Sequence, residues 1–576
     1  MNTASAHRCS RPGMALLVVV VLTMLIALGA YRFSFYMESQ YRLTRVNEEQ
    51  VHARLAALSG LELAAFLAEL PTSERANAGG TFDNPGLLKS VTVDASMEAT
   101  NSASGSASAA VSAGASTVHA AGTGQSSSQW RFSLVSPSAS NLANNAMDAN
   151  AVVGNENGSL ANLRFGFENE SAKLHMPTLL EWDRKFPGHA RQALLALPGA
   201  TEPLVDAWLR GLGVSKPRNR TGAGSSLLDR LQSNSTTDRQ SEIDALKSLW
   251  LGGDLNQNYR LDPMETRLTL QPLSGRPKIG ATRYDSQTTE TNRPMAWQRY
   301  VTWHNGQRNE TRSGQPRINL NEANLLSLHQ KLIAVWPVDW ANFVIAFRQY
   351  GPTSVQKNPA SQELAASSES PNPDFTKPSS FVLKSPLDLV GVTVQIPLIT
   401  PPSSPDGKIN APTTRKQTIR NPFSSDLSEI RNNLGKLFDN ATTDANPFVI
   451  GRVDVSEAPV EVLSGIPGID ASLAQNIVQQ RSSTSGTAQE PRDTIAWLLD
   501  GGSLDMATLK KIEPYITSRN DVYSVQSVGY RDQRSPVYRC TVTIDARRIP
   551  AQVRHFQIWH PWDRGFTLDQ LNSPSP

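Results

Sequence analysis

The chain lacks the residue patterns with which many enzymes build their active sites. It contains two cysteines, Cys9 and Cys540, among 576 residues, and it has no Cys-x-x-Cys pair. His-Glu-x-x-His, Gly-x-x-x-x-Gly-Lys and Gly-x-Ser-x-Gly motifs are also missing, and these motifs would mark a zinc hydrolase, a P-loop or a serine hydrolase. We therefore expect a protein that is not an enzyme.

The chain also has no large excess of positive or negative charge. The chain has 55 Lys and Arg residues against 52 Asp and Glu residues, which gives a formal net charge of +3. A nearly neutral chain produces no overall field that would draw it to nucleic acid or to an anionic membrane surface. The length of the chain predicts about three to four domain-sized units.

Proline is absent from Met14 to Leu70, and charge is absent from the first part of that stretch, Met14–Tyr31. Eighteen apolar residues in a helix span about 27 Å, which is just enough for a bilayer core. From Arg32 to Leu70 the apolar residues recur at three- and four-residue spacings, which is a helical pattern. The sequence therefore predicts one helix of about 57 residues that ends at Pro71, with a membrane span (14–31) and an amphipathic continuation (32–70).

A short basic leader precedes this helix and ends in Arg11-Pro12-Gly13, directly before the apolar run. This order resembles the class III leader of type IV pilins and type II secretion pseudopilins. The resemblance implies that a prepilin peptidase cuts after Gly13 and that Met14 becomes the methylated N-terminus, so the apolar helix stays on the protein. An ordinary signal peptide, cut after Ala27-Leu28-Gly29, is the alternative.

The fifth mature position would be Val18, where major pilins and most minor ones have Glu. Lack of this Glu distinguishes the K-type minor pseudopilin of type II secretion. The absence of this Glu therefore restricts the resemblance to the K type among the pilin-like subunits. It also implies that Val18 has a role in assembly.

The rest of the sequence predicts an α+β protein, in which the long helix packs on an antiparallel sheet that is interrupted by a large helical insertion. Alternating apolar and polar residues predict strands early and late in the chain. The last three predicted strands, from Val522 to Trp559, are typical of an antiparallel meander. A Ser-, Ala- and Gly-rich stretch between the helix and the first strands is typical of disorder. The predicted units are the leader (1–13), the helix (14–70), a loop with the low-complexity stretch (71–128), the first part of a pilin-like sheet (129–172), the inserted helical domain (173–520) and the C-terminal strands (521–576).

Three segments of the insertion read as helix, tight turn, helix, and they resemble helix-hairpin-helix units. A hairpin that binds DNA needs glycines in its turn and free amides at the start of its second helix, so that a phosphate can approach. Here Asp470 follows Gly468-Ile469 where a second glycine is expected, Glu202 follows Gly199, and the third turn is Trp336-Pro337-Val338-Asp339. Because acidic side chains at these places repel phosphate, we expect packing units and regard nucleic acid as an unlikely partner.

A twelve-residue stretch from Asp254 to Glu265 matches the EF-hand loop at most of its ligand positions. Tyr259 replaces the glycine that the loop normally has at its sixth position, and an Asn- and Asp-rich turn that caps itself is the alternative interpretation. We expect a structural Ca²⁺ site, which is also associated with the K-type family. Its ligands would be Asp254, Asn256, Asn258, Arg260 through its carbonyl, Asp262 and Glu265.

Together these features resemble the K-type minor pseudopilin. The resemblance implies a single-pass protein of the inner membrane with most of the chain in the periplasm. Its implied partners are the I- and J-type minor pseudopilins, the major pseudopilin, the prepilin peptidase and the secretion machinery. A minor pilin of a type IV pilus and a membrane-tethered DNA receptor remain as alternatives.

Overall fold

The structure is a computed structural model, and it combines a long N-terminal helix, an antiparallel sheet and a region of short helices and strands. It is therefore an α+β protein, as predicted. The residues that it describes are 12–93, 129–137, 163–212, 250, 297–353, 373–400, 413–423, 427–483, 492–499, 504–532, 535–559 and 571.

The N-terminal helix α1 runs without interruption from Pro12 to Glu69, which is 58 residues. This confirms the prediction of a long apolar helix, and the helix begins two residues before Met14. It ends shortly before Pro71 because a proline disfavours the helical conformation in the residue that precedes it. At about 1.5 Å per residue, α1 is about 87 Å long, so no single small domain can cover it.

The main sheet is antiparallel, and its strands follow the order β1, β2, β15, β16, β17. The short strands β3 and β4 pair with β2 and β15. One of the early strands, predicted at 163–167, is shorter than expected, since this stretch contains only the two residues of β3. The bounds are β1 (Val91–Thr92), β2 (Arg131–Pro137), β3 (Leu163–Arg164), β4 (Glu168–Asn169), β15 (Val522–Tyr530), β16 (Tyr538–Asp545) and β17 (Gln552–Trp559).

Small residues let α1 lie close to the sheet. A Cβ added to Gly529 on β15 would lie 2.1 Å from the carbonyl oxygen of Ala53, and one added to Gly60 would lie 2.5 Å from Oγ of Ser527. The Ser527 hydroxyl donates a hydrogen bond of 2.7 Å to the carbonyl of Ala57. The C-terminal part of α1 therefore has its backbone almost directly over β15.

The region between the two parts of the sheet contains helices and, unexpectedly, several pairs of very short strands. Its helices are α4 (Met176–Lys185), α5 (His189–Leu195), α6 (Glu202–Gly211), α7 (Leu325–Ile333), α8 (Val338–Tyr350), α9 (Leu427–Asn440), α10 (Val460–Ser464), α11 (Ala471–Ser483) and α12 (Met506–Ile512), while α2 (Thr72–Asn77) and α3 (Pro85–Leu88) follow α1. Short 3₁₀ helices cover Glu170–Ala172, Trp297–Arg299, Pro386–Leu389, Ile495–Leu499 and Glu513–Tyr515.

The strand pairs add short strands to the region 173–520, for which the sequence predicts a helical domain. Several of these pairs connect distant parts of the chain. The pairing is parallel between β5 and β6, β8 and β11, and β13 and β14, and it is antiparallel between β7 and β12 and between β9 and β10. Their bounds are β5 (Leu174–His175), β6 (Val301–Thr302), β7 (Gln307–Arg308), β8 (Ile318–Asn319), β9 (Val394–Thr400), β10 (Thr413–Ile419), β11 (Ala441–Thr442), β12 (Phe448–Val449), β13 (Val453–Asp454) and β14 (Ile516–Thr517).

The described residues form two hydrophobic cores. The first lies between α1 and the main sheet and includes Ala64, Leu67, Leu134 and Val542. The second and larger core fills the inserted region, which we call the head, from Ala172 to Ile516. Two cores mean that the joint between sheet and head depends on polar contacts, which are described next.

Candidate functional site

The first half of α1 is apolar and uncovered. Within the described residues, one helix is long and apolar enough to cross a membrane, and none of its apolar window is buried. Its large side chains from Leu16 to Leu28 are each about half exposed or more. A membrane anchor and a signal sequence both have these properties, so the helix is suited to a bilayer or to other helices.

The residues that the sequence assigns to processing and assembly lie in this exposed part. Gly13 and Met14 belong to the first turn of α1. Val18 follows one turn later and is 60% exposed. No acidic residue occurs between Met14 and Tyr31, so this stretch carries no carboxylate that could pair with a neighbour's amine.

The other end of α1 is fixed by an arginine of the head. Arg308, on β7, donates from Nη1 to the carbonyl of Glu69 and from Nη2 to the carbonyl of Leu70, both at 3.1 Å. The last carbonyls of a helix have no partner within the helix and attract positive charge. Arg308 therefore caps α1 from a position 238 residues further along the chain.

A buried carboxylate holds this cap in place. Asp521, directly before β15, accepts from the backbone amide of Arg308 at 2.7 Å and from its Nη2 at 3.3 Å. It also accepts from Nη2 of Arg75, on α2, at 2.8 Å. All three side chains are at most 8% exposed, so one carboxylate joins the sheet, the head and the segment after α1. We call Asp521, Arg308 and Arg75 the junction.

The other terminal nitrogen of Arg75 has two further partners. Its Nη1 donates to the carbonyl of Asn520 at 3.0 Å and to the hydroxyl of Tyr523. Burial lowers the pKa of the Arg75 guanidinium, but the charges of Tyr523 and Asp521 outweigh burial and raise that pKa above its usual value. Burial raises the pKa of Tyr523 to about 12. Arg75 therefore keeps its positive charge at physiological pH.

A second polar contact between the sheet and the head involves two acids, Asp454 and Glu457. Asp454, on β13, accepts from the side-chain amide of Asn169, on β4, at 2.8 Å. Glu457 lies 3.9 Å from Arg164, on β3. Burial is the main cause that raises the pKa of Glu457 to about 7, with Arg164 opposing it and Asp454 adding to it. Burial also raises the pKa of Asp454.

The three segments predicted as hairpin units are pairs of helices joined by short turns, namely α5 with α6, α7 with α8 and α10 with α11. In the last pair Gly468 has a φ of +88°, and Asp470 caps the second helix by accepting from the amide of Leu473 at 2.8 Å. This bond and one from Ser472 lower the pKa of Asp470. In the first pair, Glu202 forms an ion pair with Arg191 at 3.0 Å. Carboxylates thus occupy the places where a phosphate would bind.

The predicted calcium ligands, Asp254 to Glu265, lie outside the described residues. Among the residues that the structure does describe, no three His, Cys, Asp or Glu side chains are grouped closely enough to hold a metal ion. The calcium site therefore stays a prediction from the sequence.

The junction is not predictable from the sequence. Its members lie between 213 and 446 residues apart, and no local pattern links an Arg on a two-residue strand to the end of a distant helix. The only local signal is the run Arg519-Asn520-Asp521 before a predicted strand, which is also typical of an ordinary turn.

Replacing Asp521 with Ala should destabilise the protein by about 3–5 kcal/mol, because two buried guanidinium groups lose their counter-charge. Urea unfolding of the full chain in detergent, followed by tryptophan fluorescence, measures the loss. Lys331→Ala is the control, since Lys331 and Glu322 form a pair 2.8 Å apart in which Lys331 is 54% exposed, and it should cost less than about 1 kcal/mol. Similar losses for the two variants would contradict the assigned role of Asp521.

Glu457 should make stability depend on pH. Between the ordinary glutamate pKa near 4.3 and about 7, the folded protein holds a proton that the unfolded chain releases. The free energy of unfolding should therefore fall as the pH rises through this window.

The variant Glu457→Gln should flatten this fall and be more stable than the natural protein by about 1 kcal/mol at pH 8. Denaturant unfolding at a series of pH values tests the expectation, with Glu181→Gln at an exposed carboxylate as the control. An unchanged pH profile in Glu457→Gln would refute it.

Comparisons of the chain with models of protein families, with curated proteins and with solved structures find no match.

Proposed function

We propose that the protein is a minor pseudopilin of a type II secretion system, of the K type, and that it sits at the tip of the pseudopilus. The observation that carries this proposal is a 58-residue helix whose apolar half is uncovered and whose other half is built into a folded body. A leader that ends in Gly13 precedes that apolar half. Such a helix suits a subunit that waits in a membrane and then packs among the helices of a fibre.

In this proposal the prepilin peptidase removes residues 1–13 and methylates Met14. The span 14–31 then holds the protein in the inner membrane, and the bulk of the chain lies in the periplasm. The strands at 129–172 and 521–576 form the pilin-like sheet, and 173–520 is the insertion with helix-hairpin-helix packing units. The Asp254–Glu265 loop binds a structural Ca²⁺.

The position at the tip follows from Val18 and from the bulk of the head. In the other subunits, the fifth-position Glu is expected to form an ion pair with the N-terminal amine of a neighbouring subunit. The apolar side chain of Val18 cannot form such an ion pair. A large head above α1 also leaves little room for a further subunit on top. The tip would then form with the I- and J-type minor pseudopilins and start assembly with the major pseudopilin.

The junction gives this role a mechanical basis. Force that acts on α1 during assembly reaches the carbonyls of Glu69 and Leu70, which Arg308 binds from the head. Asp521 transmits the same load to the sheet. A subunit with this arrangement moves as one body when its helix is drawn out of the membrane.

Nucleic acid remains a poor candidate ligand. The carboxylates of Asp470 and Glu202 lie at the starts of the second helices of two pairs, where a bound phosphate would meet their negative charge. A minor pilin of a type IV pilus shares the features of α1, and the identity of the co-assembled subunits would separate it from a pseudopilin.

Processing tests the proposal directly. Mass analysis of the N-terminus of protein purified from membranes should show a methylated chain that begins at Met14. Gly13→Leu should leave the leader uncut, whereas Gly29→Leu, the matched change at the alternative cleavage site, should leave processing unaltered. A natural chain that begins near Ala30 would overturn the proposal, because the apolar helix would then be absent.

Val18→Glu tests the position at the tip. If the missing carboxylate defines that position, the variant should be incorporated along the fibre or stall assembly, and secretion should fall several-fold. Val19→Glu places the same charge one residue away and serves as the control for the cost of a carboxylate in an apolar helix. Equal effects of the two variants would show that position 18 has no special role.

A further inference from the structure

We draw no further inference here: the strongest candidate, the open cavity of about 340 Å³ at the C-terminal end of α6 that Trp208, Trp250 and Trp303 line, has an apolar lining, and nothing in the part of the chain that the structure describes shows what fills it.

Discussion

The rest of the structure depends on how a helix about 87 Å long is attached to a body that covers only its C-terminal part. Asp521 provides the attachment, because its carboxylate binds Arg75 and Arg308, and Arg308 binds the last carbonyls of α1. Buried ion pairs of this kind add little net stability compared with apolar packing, since each charge must leave water. They instead fix orientation. The hydrogen bonds between a carboxylate and two guanidinium groups are directional, so they allow only one arrangement of α1, sheet and head.

Small residues add to this attachment because they let α1 pack closely on the sheet. The approach of α1 to β15 needs Gly529 and Gly60, where an added Cβ would collide with backbone or side-chain atoms. Close approach aligns the helix with one strand and leaves the next-but-one strand, β17, without cover. The exposed face of β17 is therefore a geometric consequence of where α1 sits, because the sheet is wider than one helix.

The sequence predicts the parts of the fold that have a local pattern. A proline-free, uncharged run from Met14 to Tyr31 predicts the helix, and alternation predicts the C-terminal strands, because both patterns arise from burial on one side of a regular element. The two-residue strands of the head could not be predicted, since two residues are too few to show a period. The junction could not be predicted either, because Arg308 and Asp521 are 213 residues apart. For the candidate site, the roles of Gly13, Met14 and Val18 stay predictions from the sequence, whereas the capping of α1 required the structure.

Two apolar surfaces lack cover within the described residues, and they lie towards opposite ends of α1, since the amide of Ala551, just before β17, donates to the side chain of Glu69. The apolar half of α1 has no cover within the described residues, and the apolar face of β17 begins where α1 stops covering the sheet. A monomer gains nothing from exposing either, since apolar surface in water costs about 25 cal/mol per Å².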